Sequence, residues 1–387
     1  MLSPMKSSLL RPFVLTAAFA SAACSSESPS TPAQDAGTSG TDVQGADVQG
    51  AVDTGAQPDS GSPTTRGTAV TTFQFDRART GANRTETRLT VAAVTASFAK
   101  VDAFAPALDG EVFAQPLYLP ALTVGGATHD VLFVSTQANT VFALDAATGA
   151  ALWHTALGTP VPRTMQSCGI ISTIGVVSTG VIDAATGTLY EVAFTNDGGL
   201  QFKLNALDVL TGTQRAGYPA NISPPATGTS TFDARVTGQR GALQFDAGRV
   251  YVPFGGLYGD CGVYHGWLVG IDAAHPTQQV AFATPGRGSG IWSPAGASMD
   301  ETGQFYVATG NSTPLGSSTA GSMGERVIRL GGGAAGPTSS NSTAAYFEAA
   351  DARTLDLQDL DIGSVAPVVL PPTIGGAHLL WQGGKAG

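Results

Sequence analysis

One short phrase recurs along this chain and limits what the chain can fold into. It reads Val141-Phe-Ala-Leu-Asp-Ala-Ala-Thr-Gly149, followed by Leu152-Trp153. Val141 and Ala143 alternate with Phe142 and Leu144, so both faces of the strand it predicts are apolar. Such a strand is buried on both sides. Asp145 can accept backbone N–H groups in a turn, and Gly149 can take the positive φ that a chain reversal needs. The phrase returns as Asn205-Ala-Leu-Asp-Val-Leu-Thr-Gly212 and, weaker, as Val269-Gly-Ile-Asp-Ala-Ala-His275. The three aspartates, Asp145, Asp208 and Asp272, stand 63 and 64 residues apart.

Two further series keep the same beat. Phe133, Tyr190, Tyr251 and Tyr306 each centre an apolar run, at spacings of 57, 61 and 55 residues. Ahead of these lie Val112–Tyr118, Gly175–Ile182, Ala242–Phe245, Ile291–Ala295 and Ser364–Leu370. Several strands per period of roughly 60 residues, parted by Gly-rich turns, are the mark of a propeller blade. The expectation is an all-β fold, a β-propeller of four-stranded antiparallel blades. About five blades are discernible, starting near residues 112, 175, 242, 291 and 364, the last of them incomplete. No 3.6-residue apolar period is sustained between Gly67 and Gly387, which excludes a helical solenoid. Composition agrees: 50 Gly, 23 Pro and only 12% charged residues suit a turn-rich β protein.

The repeated Ala-Leu-Asp-x-x-Thr-Gly with Trp153 resembles the blade motif of PQQ-like (pyrroloquinoline-quinone-type) β-propellers. Arg77–Leu89, Gly110–Tyr118, Tyr264-His-Gly-Trp267, Ile291-Trp292, Tyr306–Asn311 and Asp359–Ser364 resemble segments of secreted bacterial and fungal members. The likeness covers about residues 70 to 387. It implies a fold and leaves activity open, because blade packing does not by itself imply bound quinone. A quinone-dependent dehydrogenase of this type implies a Ca²⁺ site, a carboxylate base and an aromatic floor. The sequence does not assemble these residue by residue, and the vicinal disulfide of the true dehydrogenases is absent.

The ends of the chain are read separately. Lys6 and Arg11 precede an apolar run of 11 residues, Phe13 to Ala23, too short to span a bilayer. It closes on Ser21-Ala-Ala-Cys24, which resembles a lipobox whose cysteine is acylated. Ser21 departs from the pattern, and Ala20-Ser-Ala22 would also serve an ordinary signal peptidase. The expectation is therefore an exported chain, an outer-membrane or cell-surface lipoprotein anchored at Cys24, with a periplasmic or secreted form as the alternative. Residues 25–67 are low-complexity and are expected to be a disordered tether. The folded part runs from 68 to 387, with Thr71–Phe75 expected as a strand that clasps the ring. Ala377–Gly387 reads as a second strand of blade five, so the expectation is a C-terminally truncated chain. A complete small propeller is the alternative.

With Cys24 assigned to lipid, Cys168 and Cys261 remain as an even pair and read as one disulfide. The competing reading, a redox or metal role, lacks a Cys-x-x-Cys. The sequence carries no zinc spacing among its five histidines, no nucleophile elbow and no phosphate loop. Two clusters stand out. In the first, Asp260, His265 and Trp267, with Trp292, are candidates to line a ligand pocket; the alternative is that Trp267 packs between blades and His265 bonds a carbonyl. In the second, Asp356, Asp359 and Asp361 could offer oxygens to Ca²⁺; the alternative is a loop of turn-capping aspartates. A net charge of −10 argues against nucleic acid. The functional expectation is a non-catalytic binding module for a protein or carbohydrate, with the membrane reached only through lipid. The alternatives are a PQQ- and Ca²⁺-dependent dehydrogenase of sugars or alcohols, and a scaffold subunit of an envelope assembly.

Overall fold

The computed structural model describes residues 67–387, apart from 103, 318–320, 334–335, 338–344 and 373–378. The leader, Cys24 and the low-complexity tether lie outside the described residues, as does His378. A short helix α1 (Val91–Ser97), capped by Thr90, precedes the strands. Blade one is the antiparallel sheet β1 (Leu117–Val124), β2 (Ala127–Ser135), β3 (Thr140–Asp145) and β4 (Ala151–Ala156), paired in that order. A two-residue ribbon, β5 (Val161–Pro162) with β6 (Thr173–Ile174), leads on. Blade two is β7 (Val181–Asp183), β8 (Thr188–Thr195), β9 (Gln201–Asp208) and β10 (Ala220–Asn221).

In blade three, β11 (Thr237–Gly238) and β12 (Gln244–Asp246) share the inner edge of β13 (Arg249–Gly256). That strand pairs with β14 (Trp267–Asp272), then β15 (Gln279–Ala283). Blade four is β16 (Ser298–Met299), β17 (Phe305–Ala308), β18 (Arg326–Leu330) and β19 (Tyr346–Glu348). Helix α2 (Ala352–Gln358) follows, and the ribbon β20 (Val368–Val369) with β21 (Leu380–Trp381) begins a fifth sheet. The fold is a β-propeller whose ring is not closed.

The recurring phrase does what its chemistry predicts. Asp145 Oδ1 accepts the N–H groups of Ala147 and Thr148, and Asp208 Oδ1 those of Leu210 and Thr211. Asp272 does the same for Ala274 and His275. Gly149 and Gly212 take φ of +75° and +70°. Trp153 then reaches across to blade two, where its Nε1–H donates to the Val209 carbonyl. A side chain at Gly212 would place its Cβ 2.5 Å from the Trp153 ring, so the turn glycine is also a docking surface. Three apolar layers fill the gaps between successive blades. They are centred on Phe133 and Val141, on Phe254 and Trp267, and on Tyr251 and Phe305.

The first described segment is not the clasping strand expected from Thr71–Phe75. Gln74, Phe75 and Arg79 have φ of 54°, 69° and 62°, so the chain bends instead of extending. It runs along the inner ends of the sheets. Val70 pairs with Tyr118 of blade one, and the Thr71 carbonyl accepts Ile182 N–H of blade two. The Arg77 carbonyl accepts Gln244 Nε2 of blade three and Met299 N–H of blade four. The Ala78 carbonyl accepts Val369 N–H of the fifth sheet. One segment thereby ties all five sheets at the axis. The stretches ahead of the inner strands, expected as strand from Val112, Gly175 and Ile291, run irregularly up to Leu117, Val181 and Ser298. The last of these stretches, and the one ahead of Gln244, carry residues that line the site described next.

Candidate functional site

Arg240, Trp292 and Asp361 each lie just ahead of an inner strand or its equivalent, in blade three, blade four and the fifth sheet. They meet around a cavity of about 270 Å³ that Asp260, Asn311, Asp359 and Lys385 also line. The guanidinium carbon of Arg240 stands 4.3 Å from the Trp292 ring centroid and 5.2 Å from that of Tyr258. Its Nε donates to the Trp292 carbonyl at 3.1 Å. Among the described residues that is its one hydrogen bond, and no carboxylate pairs with it. Cation–π contact with two rings partly offsets its desolvation. Burial still draws its pKa below the ordinary arginine value.

The opposite wall is acidic and already compensated. Lys385 Nζ lies 2.6 Å from Asp361 Oδ2 and 3.1 Å from Asp359 Oδ1, and 5.6 Å from the Trp292 centroid. The other oxygen of Asp361 accepts Asn311 N–H at 2.6 Å. Burial opposes ionisation of Asp361. Even so, Lys385, Glu325 and the Asn311 N–H hold its pKa below the usual value. Burial and then Asp361 push the Glu325 pKa up, while Glu325 accepts Ile362 N–H. Asp260, on the near wall, accepts the Tyr264 hydroxyl.

The residues singled out in the sequence thus divide. Asp260, Trp292, Asp359 and Asp361, drawn from two separate clusters, line one cavity. Asp356 is fully buried and accepts Ser312 N–H instead. Trp267 is fully buried against Phe232 in the layer between blades two and three. His265 Nδ1 lies 2.8 Å from the Gly286 carbonyl and 3.0 Å from that of Thr284. Both belong to the packing. Cys168 and Cys261 form a disulfide, Cα–Cα 6.0 Å, tying the strand connection that carries Tyr258 and Asp260 to the stretch ahead of β6. Arg240 and Lys385 were missed. For Arg240 the available signal was position, just ahead of the apolar run of an inner strand, as for Trp292 and Asp361; Lys385, which follows β21, carried no such signal.

The cofactors implied by the family likeness can be tested against these contacts. A calcium ion takes six to eight oxygens. Here the carboxylates of Asp359 and Asp361 converge on the Lys385 ammonium. Among the described residues, no three His, Cys, Asp or Glu side chains are grouped to hold a metal. A quinone would need an open aromatic floor, and Arg240 stands over the Trp292 ring. As arranged, the residues do not fit either group.

No family model matches the chain, and no curated protein matches it. Solved structures of propeller proteins do resemble it. A quinohemoprotein alcohol dehydrogenase from Comamonas testosteroni aligns with a TM-score of 0.46 and 18% identity, over 72% of this chain and 41% of that one. A quinohemoprotein alcohol dehydrogenase from Pseudomonas putida HK5 aligns at 0.45 and 16%, over 72% and 40%. BamB from Moraxella catarrhalis aligns at 0.32 and 15%, over 59% and 64%. The chain spans about two-fifths of the length of those dehydrogenases. Among the described residues no helix is long and apolar enough to cross a membrane.

Proposed function

We propose that this protein is an exported, lipid-anchored propeller that binds without catalysis, and that its ligand or its partner's contact group enters the cavity between Arg240 and Lys385. One observation carries the reading. Arg240 is held in place by Trp292 and Tyr258, yet among the described residues no group bonds its terminal nitrogens. A positioned and unengaged guanidinium at a cavity wall is what a recognition site provides. The same wall offers little for catalysis. It carries no histidine, cysteine or serine, and its buried carboxylate, Asp361, is engaged by Lys385 and Asn311. Export is supported by the Cys168–Cys261 disulfide, since such bonds persist in oxidising compartments. The acidic balance favours a protein or carbohydrate partner over nucleic acid.

The test is fluorescence titration of the full chain and its Trp292→Phe variant, first with neutral glycosides and carboxylic acids, then with PQQ and Ca²⁺. The reading expects saturable quenching by one of the first two classes, lost in Trp292→Phe. Stoichiometric quinone binding with dye-linked oxidation would replace it with a dehydrogenase. The anchor has its own check, the intact mass of protein taken from host membranes. Acylation at Cys24 supports it, and an unacylated mature chain contradicts it.

A further inference from the structure

A second cavity, of about 200 Å³, adjoins the first on the axis and shares one residue with it, Arg240. Its wall is apolar: Phe73 from the axial segment, Phe113 ahead of blade one, Ile171 and Val177 ahead of blade two, and Pro294 ahead of blade four. Arg240 is the one charged residue on that wall. Thr179 and Tyr258 complete the lining. A mostly apolar pocket with one charged group has the form of a small-molecule site, the charge fixing orientation and the apolar wall supplying contact.

We propose that these two cavities together receive a small amphipathic monocarboxylate, its apolar body among Phe73, Phe113 and Val177 and its carboxylate on the Arg240 guanidinium. The proposal rests on the binding reading above and names the ligand class for it. The terminal nitrogens of Arg240 match a planar carboxylate as a two-bond fork. The nearby Asp260, Asp359 and Asp361 disfavour a dianion, so a phosphate monoester fits less well than a carboxylate. A neutral sugar would leave the guanidinium without its counter-charge and find few partners on the apolar wall. Burial without a carboxylate partner already destabilises the charged form of Arg240, which an incoming anion would relieve.

The experiment titrates the full chain with phenylacetate by calorimetry and tryptophan fluorescence, with phenylacetamide as the neutral isostere and methyl glycosides as the polar control. Saturable binding of phenylacetate is expected. It should weaken roughly 10- to 100-fold for phenylacetamide and for Arg240→Gln, with Arg240→Lys falling between. Phe113→Ala guards against loss of fold as the cause, because Phe113 is half exposed. That variant should weaken phenylacetate several-fold while leaving thermal unfolding unchanged. Glycoside binding with no phenylacetate binding would overturn the carboxylate proposal and leave the binding reading standing. Equal affinity for acid and amide would overturn it too. If no probe of either class binds, both fall.

Discussion

Two arginines lie on the axis of this propeller, and their surroundings differ in one respect. Arg79, in the segment that ties the five sheets, is almost fully buried. Its Nε donates to the Ala297 carbonyl, Nη1 to Thr72 Oγ1 and the Phe73 carbonyl, and Nη2 to the Leu243 carbonyl. Burial pulls its pKa down to about 9, so it stays charged at neutral pH. Arg240 has two aromatic rings and one bond. A buried cation whose three nitrogens all find protein oxygens is a structural joint, because removing it strands those acceptors. A cation kept in place with its donors open can accept something from outside. The difference separates the fixed centre of the fold from the mouth proposed to bind.

The comparison can be strained in several ways. The largest expected effect comes from Cys168→Ser with Cys261→Ser. The bridge closes a separation of 93 residues. Its loss should lower stability by about 4–5 kcal/mol in the chain-entropy model, read by urea unfolding. The loop it tethers carries Tyr258, so phenylacetate affinity should fall as well. Unchanged affinity would show that Tyr258 does not help hold Arg240.

Glu191 is the natural challenge to the rule. It is buried in β8, Ser135 donates to its Oε1, and its Oε2 has no partner among the described residues, yet it lines neither of the two axial cavities. The answer is protonation: burial pushes its pKa from 4.5 up to about 8. A raised acid keeps its full contribution below the unfolded value and loses it as pH rises through the folded one. Stability should therefore decline from about pH 4.5 to about pH 8. Glu191→Gln should flatten that slope and stabilise the protein at pH 8 by on the order of a few kcal/mol. A variant less stable than the parent at pH 8 would mean the acid is ionised and has a partner.

Gly212→Ala leaves both arginines alone and perturbs the rim. Positive φ and the Trp153 ring should together make it about 2–3 kcal/mol less stable by thermal unfolding. Asp145→Ala, which removes one Asx turn, should amount to about 1 kcal/mol. Neither should change ligand affinity more than twofold. A larger change would show that rim and mouth are coupled.

The rim was legible in the sequence because its interactions are local. Asp145, Asp208 and Asp272 bond within three residues, and each lies in a repeated phrase. The disulfide was legible by parity. The axis was not. The partners of Arg79 range from six residues away at Phe73 to 218 away at Ala297, with no period to announce them. The mouth combines Arg240, Trp292, Asp361 and Lys385 from four stretches, and only the packing of successive blades brings them together. Trp267 was a plausible pocket residue on composition, but its place at the first residue of β14 turns it into the core. Residues of the acidic and aromatic clusters share one cavity, and what joins them is the pair of cations that neither cluster contained.

The most direct test of the account is to unfold Arg79→Met and Arg240→Met side by side in urea. The account predicts a loss of about 3–5 kcal/mol for the first, from stranded buried carbonyls, and less than about 1 kcal/mol for the second. Equal losses would make Arg240 a structural joint like Arg79, and the binding mouth would have to be given up.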